Sequence, residues 1–195
     1  MRGETALDCF MKVGSPLCGA YESTASGSNE GNAGMKSHMQ RNERAMSLKD
    51  SEALLRRAPV GRLGVSWKGE PYVVPLNFVY SGDKIFFHCA ERGKKLDFAT
   101  RNPKVCFEVD DFLGVKKSDR TCSYSAYYQS VIVYGKASIV RTSNRKTQIL
   151  RKIFTKYAKK TGKRFDTLQV AKVKVVEIKV REISGKQHLP PRMKA

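Results

Sequence analysis

From Gly61 to Ala90 the chain is built of short segments in which apolar and polar residues alternate with period two, separated by three-residue turns. The first runs from Gly61 to Trp67, the second from Tyr72 to Tyr80 and the third from Lys84 to Ala90, with Lys68-Gly69-Glu70 and Ser81-Gly82-Asp83 between them. This constrains the fold more than any other feature, because strands joined by turns this short can only pair antiparallel, whereas a parallel crossover needs a dozen or more residues. The three runs are predicted to form an antiparallel meander.

Further strand patterns occur at Val105 to Val109, at Tyr127 to Val140 and at Ala171 to Val180. Gly135 sits mid-strand where a barrel bends or bulges. In the last run Ala171, Val173 and Val175 alternate with lysines, then the phase slips to Val176, Ile178 and Val180, as a β-bulge between Val175 and Val176 would produce. Asp110 to Cys122 is polar and rich in turn residues and reads as a loop. Three helices interrupt the strands. Ser47 followed by Asp50 caps one that ends near Ala58-Pro59. Lys94 to Arg101 gives a second, packing Leu96 and Phe98 and stopped by Asn102-Pro103. Ser143 or Asn144 opens a third through Ala158, whose Ile149, Leu150, Ile153, Phe154 and Tyr157 share one face. Six strands and singly inserted helices predict a mainly β (α+β) fold, a small six-stranded antiparallel barrel with peripheral helices. The absence of GxGxxG and GxxxxGK[ST] motifs agrees.

Residues 1–40 have a different composition, rich in Ser, Gly, Asn and Thr around Ser23 to Gly34, and are expected to be a disordered extension. The folded domain is assigned to residues 41–190, with a tail at 191–195. The formal charge is +19, and residues 1–40 hold only three of the 37 basic side chains and four of the 18 acids, so the excess belongs to the folded part. Between Arg145 and Arg164 there are nine Lys or Arg residues and no acid, read first as the solvated face of a surface helix. Such a charge favours an anionic partner: nucleic acid, a phosphorylated cofactor, an acidic substrate or a membrane surface. No apolar run is long enough to cross a bilayer as a helix, so no membrane association is expected. The five cysteines show no CxxC or Cys-His metal spacing, which predicts a reducing, cytoplasmic setting and no metal site.

Chemistry concentrates in Ile85-Phe-Phe-His-Cys-Ala-Glu-Arg-Gly-Lys-Lys-Leu96. His88 lies near a strand end on the face of Phe86 and Ala90. A helix opening after Gly93 would aim free amides and the Lys94 and Lys95 ammonium groups at one place, as phosphate binding requires. Ordinary surface lysines and a hydrogen-bonded barrel histidine fit the same residues equally well. In Tyr72-Val-Val-Pro-Leu-Asn-Phe78, Pro75 cannot donate to a ladder and belongs at an edge or bulge, where freed backbone groups and Asn77 can meet a flat heteroaromatic ring. An edge strand with Asn77 in water is the plainer alternative. Tyr127-Tyr-Gln-Ser-Val131 opens an apolar strand with polar groups able to reach a ring, a phosphate or solvent.

Taken in order, Gly61-Arg-Leu-Gly64, Pro71-Tyr-Val-Val-Pro-Leu-Asn-Phe78, Ile85-Phe-Phe-His-Cys-Ala90, Gly93-Lys-Lys-Leu96 with Asn102-Pro-Lys-Val-Cys-Phe107, and Tyr128-Gln-Ser-Val-Ile-Val-Tyr-Gly135 resemble the pyridoxamine 5′-phosphate oxidase-like flavin split barrels. Within them the likeness is strongest to the nitroimidazole-resistance (Nim-type) reductases. It spans about Met39 to His188. The resemblance implies an FMN-binding split β-barrel, a homodimer with FMN at the subunit interface, and an FMN-dependent oxidoreductase passing electrons to a small-molecule substrate, a nitroaromatic among the candidates. A nicotinamide compound is the implied electron donor. By matching position, Lys94 and Lys95 take the phosphate, and the ring lies along Val74, Pro75, Leu76 and Asn77. Arg62, Gln129 and Ser130 are further cofactor contacts. His88, the matched histidine beside the flavin, is the implied catalytic residue, with Cys89 following it where Ser is commoner. The C-terminal substrate pattern of true pyridoxamine phosphate oxidases is not found, which disfavours vitamin B6 oxidation. Two other readings are kept: a basic nucleic-acid-binding module without redox activity, and a haem- or deazaflavin-binding relative of the same fold.

Overall fold

In the computed structural model, which describes residues 41–158, 170 and 172–193, the chain forms α1 (Leu48–Arg57), β1 (Gly61–Trp67), β2 (Glu70–Leu76), β3 (Phe78–Tyr80), β4 (Lys84–Cys89), α2 (Lys94–Arg101), β5 (Lys104–Lys116), β6 (Ser125–Ile139), α3 (Ser143–Ala158) and β7 (Lys174–His188). The expectations for residues 1–40 lie outside the described residues. All strand pairs are antiparallel, in the order β2-β1-β5-β6-β7-β4-β3. The two strands at the ends of that order are consecutive in the chain, joined through Asn77. A single residue therefore closes the half-barrel.

This corrects the strand count. The run from Tyr72 to Tyr80 is two strands, not one, because Leu76 still pairs with Gly61 of β1 while Phe78 already pairs with Phe87 of β4. Seven strands result where six were expected, and the class is unchanged. The predicted loop from Asp110 is also corrected: β5 continues through Lys116, paired with Ser125 to Ser130 of β6 and bulged between Phe112 and Gly114. Polar residues there did not signal a loop because this hairpin extends past the covered core, leaving Phe112 and Val115 63% and 53% exposed.

The expected bulge between Val175 and Val176 is not there. Both side chains are buried, Val176 with the barrel core and Val175 with α3, so two adjacent apolar residues mark a strand covered on both faces. Phe86 and Phe87 of β4 repeat the arrangement. The bulge lies further on, where Tyr134 pairs with Glu182 and Gly135 with Val180, leaving Arg181 without a partner on β6. Gly135 is needed there, since a Cβ would stand 2.5 Å from the Lys179 carbonyl oxygen.

The inward residues Leu63, Val65, Phe78, Ile85, Phe87, Phe107, Val109, Val131, Val133 and Ile178 fill the barrel, with Phe78 edge-on to Phe107 at 4.9 Å. Ser47 accepts from the Asp50 amide and starts α1 as its sequence requires. Leu54 and Leu55 of that helix are buried in the barrel core. The second helix adds Leu96 and Ala99 to the same core, while Ile149, Leu150 and Ile153 of α3 cover the outer face of β4 and β7. No helix among the described residues is long and apolar enough to cross a membrane.

Candidate functional site

His88 and Cys89 end β4, and the α2 N-terminus follows after Gly93, whose φ of +141° is tolerated only by glycine. On β4 the outward phase carries Phe86 and His88 and the inward phase Phe87 and Cys89. Asn77 precedes Phe78, whose partner Phe87 precedes His88, so Asn77 and His88 stand level on neighbouring strands. Pro75 and Asn77 are exposed, whereas Val74 packs on the core and Leu76 is buried in it. Strand β2 is a sheet edge, as Pro75 demands. Of the segment Val74 to Asn77, only Pro75 and Asn77 thus present side chains outward.

The two lysines part company. Lys94 binds the Glu70 carboxylate at 2.5 Å and lies over the rings of Tyr72 and Phe98, 5.1 and 5.3 Å from their centroids. Lys95 instead acts on the end of β4. Partial burial and, after it, the Lys95 charge hold the His88 pKa below the ordinary imidazole value. Burial raises the Cys89 thiol, against the opposing pull of Lys95 and Lys174. No acidic partner pairs with Lys95 among the described residues.

Of the remaining predicted contacts, Arg62 stands directly opposite Pro75 across β1 and β2, whereas Gln129 and Ser130 lie elsewhere. Arg62 pairs through Nη1 with Glu108 at 2.8 Å and with Asp110, which together raise its pKa, Asp110 most. Gln129 donates to Gln187 at 2.9 Å and accepts from Arg57 at 2.7 Å, while Arg57 also pairs with Asp111. Ser130 is half-buried beside Asp110. On β7, His88 pairs with Val175 but Gln129 pairs with Gln187, twelve residues along the same strand. In the other direction β3, β2, β1 and β5 intervene. His88 with Lys95 and Gln129 with Ser130 therefore do not converge within one chain.

Three contributors escape a reading of the sequence. The Tyr157 hydroxyl accepts from the Phe78 amide at 2.9 Å and reaches the carbonyls of Pro59 and Phe78 at 2.9 and 3.1 Å, pinning the backbone next to Asn77. Glu70 fixes Lys94. Lys156 buries its Nζ 3.8 Å from the Phe78 ring centroid, with no hydrogen-bond partner among the described residues and its pKa pushed down to about 8 by burial. All three contacts span 24 or more residues, so no local pattern announces them.

Exposed edge backbone, an ammonium group without an acidic partner among the described residues and an imidazole of lowered pKa at one end of the barrel can hold a phosphorylated planar ligand. Comparison with known proteins bears on its identity. The sequence model of the pyridoxamine 5′-phosphate oxidase family matches residues 47–187. A solved structure of a candidate 5-nitroimidazole antibiotic resistance protein from Bacteroides thetaiotaomicron is 29% identical, covers 73% of this chain and 85% of that one, and superposes with a TM-score of 0.62. An FAD- and haem-binding protein from Mycobacterium smegmatis shares the fold at 17% identity, TM-score 0.66, covering 74% of this chain and 73% of that one. An uncharacterized protein of Rhizobium meliloti is 25% identical over 93 residues, which are 48% of this chain and span about half, 54%, of that relative's length.

Proposed function

This chain belongs to the pyridoxamine 5′-phosphate oxidase family, and from that premise we propose that it is an FMN-dependent oxidoreductase that passes electrons to a small acceptor of the nitroaromatic class, working as a homodimer with the flavin between subunits. The observation that carries the reading is the placing, at the end of β4, of Lys95, which has no acidic partner among the described residues, beside a pKa-depressed His88 that is level with Asn77, with Pro75 two residues further along the same outward face. Lys95 would bind the flavin phosphate, with Lys94 in reserve behind its Glu70 contact. Pro75 and Asn77 would line the ring. The bound flavin would supply the redox chemistry, which the side chains themselves cannot.

His88 is neutral at pH 7, so it has one ring N–H to donate and one lone pair to accept with, and it would orient the acceptor or relay its proton. The homodimer is supported by the separation of Gln129 and Ser130 from His88 in one chain, and by the exposed Phe112 and Val115 on the β5–β6 hairpin. The free thiols of Cys89, Cys106 and Cys122 support a reducing, cytoplasmic setting. A nicotinamide compound is the proposed electron donor. The FAD- and haem-binding neighbour keeps one alternative open to test, a different prosthetic group in the same place.

The test is the visible spectrum of the purified full chain titrated with FMN, FAD and haem, followed by addition of a nicotinamide donor. Saturable FMN binding and bleaching are expected. Lys95→Ala should weaken FMN binding about tenfold or more, the size of a charge-assisted hydrogen bond to phosphate, and Lys94→Ala by less. A colourless protein indifferent to FMN, or undiminished flavin in the Lys94→Ala, Lys95→Ala double variant, would overturn the reading.

A further inference from the structure

The outer face of the barrel carries a concavity of about 490 Å³, formed across β2, β1, β5, β6 and β7. Its apolar floor includes Gly64, Val73 and Tyr134, and its basic side is Lys104, Lys136 and Arg181. These cations are in register. Lys104 pairs with Lys136 across β5 and β6, Lys136 with Lys179 across β6 and β7, and Lys179 with Lys84 across β7 and β4. Four lysines therefore form one row, spaced by the roughly 4.8 Å that separates neighbouring strands. The β-bulge adds a fifth cation, because the residue it leaves over is Arg181, turned into the same concavity.

Like charges set directly opposite across strands are destabilising. Ion pairing relieves only part of the repulsion: Lys84 has Glu177 at 3.0 Å, and Glu182, opposite Tyr134, is the acid on the same face next to Arg181. An anion between them would remove the repulsion, and the planar guanidinium of Arg181 suits phosphate oxygens two at a time. The apolar floor beside the row is of a size that takes a small organic ligand. It is open because position 64 has no side chain. The same outward face of β2 continues from Val73 in the concavity to Pro75 and Asn77.

We propose that this concavity is a nucleoside-phosphate site, with the base on the floor at Gly64, Val73 and Tyr134 and the phosphates on Lys104, Lys136 and Arg181. The chemistry is shared by two ligands, the dinucleotide that donates electrons and the adenylate half of FAD. Its connection to redox rests on the flavin reading above; the groove and its cations do not.

The experiment is calorimetric titration of the full chain with ADP, and steady-state reduction of the flavin-loaded protein by NADPH, for the wild type, for Lys136→Gln with Arg181→Gln, and for Gly64→Val. A Cβ at position 64 meets its nearest neighbour, the Cys106 carbonyl oxygen, at 3.4 Å, so a side chain there starts at ordinary contact distance, and an unchanged unfolding midpoint of Gly64→Val checks that the sheet is kept. Saturable ADP binding, weakened about tenfold or more in both variants with FMN affinity unchanged, is expected. A matching rise in KM for NADPH identifies the donor as the ligand, and a loss of FAD affinity alone identifies the adenylate of FAD. ADP binding that survives both variants, or no ADP binding at all, overturns the proposal. So does tighter, steeply salt-dependent binding of a single-stranded oligonucleotide that ADP fails to displace, which would make the row a nucleic-acid contact. Loss of FMN binding in wild type with ADP binding intact would sink the flavin reading and leave this site standing.

Discussion

His88 and Lys156 are both bases whose surroundings resist a proton, with different consequences. The His88 pKa is lowered first by burial and then by Lys95. Replacing Lys95 with Gln should therefore move the ring titration toward its ordinary value, which proton NMR of the imidazole signals would follow; an unmoved titration would separate the two residues. Because the unfolded chain binds this proton more readily, the His88 contribution to stability is complete above pH 6.5 and falls as the pH drops through that value. Lys156 works at the other end of the scale. Its ammonium is buried over Phe78 without a hydrogen-bond partner among the described residues, and its pKa is pushed down to about 8 from 10.5. Between those values the unfolded chain again holds more protons, so stability rises with pH from about 8 to 10.5. Lys156→Met should stabilise the protein at pH 7 by about 1–2 kcal/mol, the cost of an unsatisfied polar group less its contact with the ring. Denaturant melts at pH 7 and pH 10.5 would check this: the gain should shrink at the higher pH, and a gain independent of pH would mean the lysine is not the cause. The sequence carries His88 and the Lys94-Lys95 pair plainly, since strand end, glycine and helix start follow one another. It carries nothing of Lys156, which reads as one more charge on a basic helix.

At the scale of elements the weak point is the hand-over from β2 to β3. The chain leaves β1 and joins β4 within one residue, and that residue, Asn77, lies beside His88. Tyr157 holds the turn from outside by satisfying the Phe78 amide and sharing its hydroxyl with two carbonyls. Tyr157→Phe leaves that amide unsatisfied and should cost about 1–3 kcal/mol. Hydrogen exchange is the sharper readout, because the loss should concentrate at Phe78 to Tyr80; uniform loss over α3 and the barrel would mean the hydroxyl is only one packing contact among many. Gly135 tests the middle of the sheet. A Cβ there collides with the Lys179 carbonyl and with Ile178, so Gly135→Ala should lower stability by about 1–3 kcal/mol in urea denaturation. Strand periodicity made most elements legible, and it failed where one strand serves two partners. Tyr72 to Tyr80 alternates without a break because both halves bury the same face, so the transfer from one neighbour to another leaves no mark in the pattern. Val175-Val176 failed for the opposite reason: a strand with both faces covered loses its alternation and imitates a bulge, while the real bulge at Arg181 lies among residues of mixed polarity that hide it.

For the whole molecule, the separation of His88 and Lys95 from Gln129 and Ser130 turns the proposed dimer into a measurable quantity. If each flavin site takes Lys95 from one subunit and the β6 residues from the other, Lys95→Ala and a double Gln129→Ala, Ser130→Ala variant are defective for different reasons. In a mixed dimer one site collects both defects and the other collects none. Unfolding and refolding equal amounts of the two variants together gives mixed dimers in half the population, so about a quarter of all sites should be restored. The visible flavin absorbance after desalting would read this directly. Recovery near that level requires exchange of subunits and so also establishes the oligomer, whereas co-refolded variants as colourless as either alone would mean that each chain builds its site unaided. The internal commitments of Gln129 set a condition on the outcome. Its amide is already bonded to Arg57 and Gln187, so Gln129→Ala alone leaves a partly exposed network incomplete and lowers stability as well as flavin content. Ser130→Ala breaks no side-chain hydrogen bond of that network, and if the β6 segment reaches a partner's flavin, Ser130→Ala paired with Lys95→Ala should show the same partial rescue without the loss of stability.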